Sequence, residues 1–158
     1  MVEHSAEGAL GIVLNRPSDA ALDVAVPEWA SLAAPPAVAF VGGPVQVREA
    51  VIGLARVDRV EASDAWQPLL GRVGTLDLGR SPDGAQPDVE AVRVFAGYAG
   101  WGSGQLDAEL REEAWFVVDA QPDDLLTSDP ATLWRRVLRR QRGPLAAVAN
   151  FPDDPISN

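Results

Sequence analysis

Four glycines, Gly97, Gly100, Gly102 and Gly104, fall within one short stretch that also carries Tyr98, Trp101, Ser103 and Gln105. Between a strand and a helix N-terminus, such a corner can aim backbone N–H groups at a phosphate or carboxylate, assisted by the helix dipole. This corner lacks the Lys-Ser/Thr pair that closes a P-loop, and the G-x-G-x-x-G spacing is absent. Asp107 already places a negative charge on the first helical turn. A tight corner packed under Tyr98 and Trp101 is the simpler reading. Binding of a nucleotide or phosphorylated small molecule at 97–105 is the alternative. Ser103 has glycine on either side, but a nucleophile elbow needs glycines two residues away, where Trp101 and Gln105 stand. The only histidine is His4, so neither a Ser-His pair nor a histidine-rich metal site is indicated. No catalytic residue, metal ligand or cofactor is expected.

Two further turns end in groups suited to recognition. Asn15-Arg16 stops one apolar run and Gly42-Gly43-Pro44 stops another. Polar and glycine-rich positions at strand ends are where a scaffold presents groups to ligands. Asn15, Arg16, Gly42, Gly43, Pro44, Tyr98, Trp101 and Gln105 therefore make one candidate ligand-binding surface. In it Arg16 anchors an anionic group, Gln105 supplies a hydrogen bond and Trp101 stacks. The partner is an unidentified protein or a small anionic ligand. The surface requires the three loops to meet at a shared pocket.

One basic cluster, Arg135, Arg136, Arg139, Arg140 and Arg142, lies toward the end of a helix, where cations complement the dipole. No aromatic residue interleaves with these arginines as a base-stacking platform would need, so a solvated helix face is the plainer account. Across 158 residues the formal net charge is −10, a field that repels nucleic acid and anionic lipid. All the basic residues are arginine, which fits GC-rich codon usage. The absence of cysteine removes disulfides, zinc thiolates and cysteine nucleophiles together. The opening Met1–Ser5 has no signal-peptide character, and no apolar run approaches the ~20 residues that cross a bilayer. A cytoplasmic, single-domain protein spanning residues 1–158 is expected.

The elements that must position these residues alternate between short apolar runs and helical segments. Strands are expected at Ala9–Leu14, Val38–Val41, Ala50–Val57, Val73–Leu78, Val92–Ala96 and Trp115–Val118. Helices are expected from Ser18 or Asp19 toward Val26, over Glu28–Ala33 behind Pro27, and from Gly104 to Glu113 with an apolar stripe of Leu106, Leu110 and Ala114. A short helix falls within Asp119–Thr127, and a longer one opens at Asp129-Pro130 and closes at Gly143-Pro144. A helical turn is expected near Leu145–Ala149, a loop over Gly79–Asp88 and an irregular tail ending at Asn158. Connections this uneven argue for a mixed, largely antiparallel sheet with flanking helices.

Gly8–Pro17 (GALGIVLNRP), Phe40–Val45 (FVGGPV), Phe95–Trp101 (FAGYAGW), Gly104-Gln105-Leu106, Glu109, Trp115 and the late helix with Leu133-Trp134 form a recurring set. In these segments the chain resembles the AlgH/YqgE-like proteins of bacteria, whose function is largely unknown. These segments span nearly the whole chain in the family's order. The resemblance implies an α+β fold with a bifurcated sheet curled into a pseudo-barrel. It also implies a regulatory role, since members carry a transcriptional-regulator label that describes a phenotype and not a chemistry. Members usually carry a strand-bearing segment ahead of Val2-Glu3-His4. Its absence here would leave an edge strand able to pair with another chain, and so to form an oligomer.

Overall fold

The computed structural model describes residues 1–84 and 88–151. The part of the expected Gly79–Asp88 loop at 85–87 and the tail from 152 lie outside the described residues.

The strands form two sheets. The smaller has the order β1-β2-β9, with β1 at Glu3–Ser5, β2 at Gly8–Gly11 and β9 at Ala99–Gly102, all antiparallel. In the larger, β3 (Pro17–Ala21), β4 (Val38–Val41), β8 (Val89–Ala96), β5 (Val51–Val57), β7 (Val73–Leu76) and β6 (Trp66–Leu70) lie side by side in that order. Only β4 and β8 run parallel. The fold is therefore the expected mixed, largely antiparallel α+β arrangement, and the two sheets do not close into a barrel.

The larger sheet is buried on both faces, because successive residues of a strand point to opposite sides. Val92 and Val94 of β8 join Ala55, Val57, Trp66 and Trp29 in one core layer. Phe95 of the same strand joins Phe40, Leu54, Val73 and Leu125 in the other. Two-sided burial explains why β5 and β8 read as nearly continuous apolar runs. Between Val92 and Val94 stands Arg93, only 1% exposed, its guanidinium 4.4 Å above the Phe40 ring.

Several segments depart from expectation. Residues 17–21 form an edge strand and not the start of a helix. The Ser18 hydroxyl donates to the Ala39 carbonyl at 2.7 Å, so the group expected to cap a helix ties β3 to β4. Only Leu22–Ala25 is helical there, as a single turn, α1. The Pro27-led helix is a 3-10 helix over Pro27–Leu32. Besides β3, three strands went unforeseen: β1, β6 and β9. Pro68 makes β6 look unlike a strand, yet proline is tolerated on an edge, and β6 is one. The expected Ala9–Leu14 strand ends at Gly11, although the Val13 N–H still donates to the Gly42 carbonyl at 2.8 Å.

The apolar residues Trp115–Val118 are not a strand: they have no ladder partner among the described residues, and Trp115, Phe116 and Val117 are exposed. Helix α2 covers Gln105–Arg111 behind Gly104, and α3 covers Pro122–Leu125. Helix α4 starts later than its Asp129-Pro130 signal, at Leu133–Arg139, with Asp129 accepting from the Thr132 N–H at 3.4 Å and from its hydroxyl. Helix α5, Pro144–Val148, is the expected turn near the C-terminal end.

Two arginines of the late cluster, Arg136 in α4 and Arg140 just after it, are spent on structure. Asp124, 3% exposed, receives both Nη atoms of Arg140, with Arg136 at 3.7 Å and the Gln121 N–H at 2.8 Å. Burial pushes the Asp124 carboxyl up. The Arg140 hydrogen bonds, the Gln121 N–H and the charges of Arg140 and Arg136 together outweigh it and hold the group below its usual value. A carboxylate lowered on folding stabilises above its unfolded pKa of about 3.9, and that stabilisation is lost as pH falls through the folded value. Replacing Asp124 with asparagine is expected to cost about 2 kcal/mol near pH 7, the low side for a buried pair since Arg140 still reaches solvent. The cost should shrink as unfolding is measured toward about pH 2. A constant difference between wild type and variant across that range would refute the assignment.

Candidate functional site

The glycine corner is held by its own backbone. Gly97 N–H donates to the Ala50 carbonyl at 2.8 Å, and Tyr98 and Val45 exchange bonds of 3.1 and 3.0 Å. Gly102 N–H donates to Oε1 of Gln105 at 3.1 Å. Ser103 donates to the Ala6 carbonyl at 2.6 Å. These N–H groups are thus used inside the protein and not turned outward as a phosphate cradle.

Two of the three expected loops meet here, through backbone. A Cβ on Gly42 would lie 2.4 Å from the Gly97 carbonyl oxygen, and one on Gly43 would lie 2.1 Å from the Tyr98 carbonyl carbon. Glycine is required at both because main chain passes over main chain. Pro44 follows on the surface, and Tyr98 is half-buried. The third loop joins through β4, where the Arg16 carbonyl accepts from the Val41 N–H at 2.8 Å. The side chains of Asn15 and Arg16 are exposed.

Trp101 and Gln105 turn toward a different partner. The Trp101 indole donates to Oε2 of Glu109 at 3.0 Å, and the Trp115 indole donates to the same oxygen at 2.7 Å. Gln105 donates to Oε1 at 3.0 Å. The two indoles meet edge to face with centroids 5.9 Å apart. Helix α2 makes this possible: Gln105 and Glu109 are one turn apart on one face, while Leu106, buried, faces inward. Hydrogen bonds from Trp115, Trp101 and Gln105, in that order of strength, hold the Glu109 carboxyl below its usual range. Next to this cluster, Nε2 of His4 stands 3.2 Å from Oδ1 of Asp107.

The indoles wall a cavity of about 510 Å3. Five separate segments line it: Met1 and His4, the chain from Gly11 to Val13, Ala99 and Trp101 of β9, Leu106 and Leu110 of α2, and residues 115–118. The Trp101 ring rests against Gly11, where a Cβ would come within 3.2 Å of it. A smaller apolar cavity of about 250 Å3 shares Met1 and Ile12 with it. Of the eight residues expected to bind ligand, only Trp101 lines the larger cavity, with Gln105 attached through Glu109. Glu109 and Trp115 were not among the candidates. The four-residue spacing of Gln105 and Glu109 is a local signal for the first, whereas nothing local joins Trp115 to Trp101.

Among the described residues no cluster of three or more His, Asp or Glu could hold a metal ion, and no helix is long and apolar enough to cross a membrane.

Comparison with known proteins places these features in a wider set. The AlgH-like family model matches residues 1–146. A UPF0301 protein of Streptomyces coelicolor is 46% identical over all of this chain and 83% of its own length. One from Mycobacterium avium is 47% identical, covering 80% of that protein. Among solved structures, the crystal structure of protein DIP2367 from Corynebacterium diphtheriae superposes with a TM-score of 0.86 at 34% identity, over 94% of this chain and 79% of that one. The solution structure of AlgH from Pseudomonas aeruginosa gives 0.65 at 29% identity, over 97% and 82%.

Proposed function

The chain belongs to the AlgH-like family, and on that footing we propose that it is a binding protein with a regulatory and not a catalytic role. Its ligand is apolar and is held in the cavity walled by Trp101 and Trp115. The observation that carries this reading is the cavity itself, about 510 Å3 with a largely apolar wall assembled from five chain segments. A concave apolar site with a few convergent polar groups is the usual form of a small-molecule site. The carboxylate beside it supports binding over catalysis. Glu109 is held below its usual range by three donors, whereas a general acid or base works best with a pKa near the operating pH.

Calorimetric titration of the full chain with 1-naphthalenemethanol, a neutral bicyclic aromatic, tests the reading. Saturable binding is expected, and Trp115→Ala should weaken it about tenfold through lost aromatic contact. Trp115 is 51% exposed, so its removal leaves the fold in place. Absence of saturable binding up to millimolar probe would overturn the assignment of the cavity.

A further inference from the structure

Glu109 is an unusual wall support, because every hydrogen-bond partner it has is neutral. Trp101, Trp115 and Gln105 each donate one N–H to it, and among the described residues no Arg or His forms an ion pair with it. Neutral donors orient a carboxylate without cancelling its charge. An uncompensated negative charge therefore stands at the N–H edges of two indoles that wall an apolar cavity. The surroundings reinforce that field. Glu112 and Glu113 follow Glu109, Arg111 is the only basic residue of the helix, and Asp107, which precedes Glu109, faces Nε2 of His4 at 3.2 Å.

We infer that the cavity selects an organic cation: a ligand with an apolar body to fill it and an ammonium or guanidinium group to sit against the Trp101–Glu109–Trp115 cluster. This deepens the binding role proposed above and rests on it. Both ligand parts have a counterpart in place. The apolar body meets Leu106, Leu110, Ile12 and Val13. The cation meets the indoles, which attract positive charge through the ring quadrupole, and the carboxylate, which attracts it by Coulomb's law. An anionic ligand in the same place would face Glu109 and a chain of net charge −10.

The test compares three probes that share one apolar body: 1-naphthylmethylammonium, 1-naphthalenemethanol and 1-naphthylacetate. Each is titrated into the full chain by calorimetry near neutral pH, at low and at high salt. The ammonium should bind about tenfold more tightly than the alcohol at low salt, and the acetate more weakly than either. Added salt should narrow the gap. In Glu109→Gln, which keeps an oxygen for the indoles and removes the charge, the ratio of ammonium to alcohol affinity should fall to about one. Equal binding of ammonium and alcohol to the wild type would overturn the cation preference and leave the cavity standing. A ratio unchanged by Glu109→Gln would overturn the role of Glu109. Failure of all three probes would remove the cavity reading, and this inference with it.

Discussion

Arg93→Ala is expected to cost about 4 kcal/mol, a large part of the stability of a domain this size. The side chain lies between Val92 and Val94 on the central strand β8, and its head does the work of a cross-brace. One Nη donates to the Thr127 carbonyl at 2.8 Å, the other to the Pro35 carbonyl at 2.5 Å and the Ala34 carbonyl at 3.4 Å. Thus β8, the loop ahead of β4 and the segment after α3 share one guanidinium. Truncation opens a cavity against Phe40 and leaves the Pro35 carbonyl and those of buried Ala34 and Thr127 without this donor, the buried ones worth about 1–3 kcal/mol each. Opposing this is the cost of keeping a cation out of water, visible in an arginine pKa pushed down by burial to about 10. Among the described residues Nε also has no hydrogen-bond partner. The group is still charged at neutral pH, and its lowered pKa means that the charge itself opposes folding there.

Arg93→Met separates these contributions. Methionine refills most of the space and removes both the charge and the donors, so a loss of about 1–2 kcal/mol is expected. Denaturant unfolding of the two variants should rank alanine below methionine and methionine below wild type. A methionine variant as stable as wild type would mean that the carbonyl hydrogen bonds only offset the desolvation of the cation.

Gly43→Ala is the second large effect, at about 3 kcal/mol or more. The added Cβ would stand 2.1 Å from the Tyr98 carbonyl carbon, 2.2 Å from its oxygen and 2.3 Å from the Ala99 nitrogen. All three are backbone atoms, so no side chain can swing aside. Either the Gly42-Gly43 turn or the corner at 97–99 must move. Overpacking costs ~1–3 kcal/mol where side chains can adjust, and this site falls at or beyond the upper end. For a chain of this length 3 kcal/mol lowers Tm by about 6–12 °C. Gly104→Ala is the internal control. Its φ of +68° makes alanine strained, but nothing lies within 4 Å of the new Cβ, so the loss should be about 1 kcal/mol. Equal shifts in thermal melts for the two variants would contradict the close-approach argument. The strain reaches the cavity too, since β9 carries Trp101 directly after the corner. Gly43→Ala should therefore weaken binding of 1-naphthalenemethanol even at temperatures where it remains folded.

The local reading of the chain succeeded where the cause is local. Val38–Val41 is a strand with its expected bounds, and α2 follows Gly104 as its apolar spacing required. Gly42-Gly43 was legible as the turn that ends a strand, but not as a crossing of two main chains. Trp115–Val118 has a strand's composition, but a strand exists only where another offers its N–H and C=O groups, and none does so here among the described residues. Residues 17–21 were the reverse case. Their Ser-Asp sequence suits a helix start, yet β4 lies alongside and captures the Ser18 hydroxyl.

By itself, the sequence determined the α+β class, the family, the strongly acidic charge and the glycine-rich corner ahead of a helix, because each is carried by composition or by neighbours a few residues apart. The tertiary structure alone decided which side chains share a site. Trp101 and Trp115 converge on Glu109 because β9, α2 and the segment after it are folded against one another. Arg93 finds acceptors 34 and 58 residues away along the chain. Such bonds depend on where the backbone brings distant residues together, and periodicity records only which face of its own element a residue occupies.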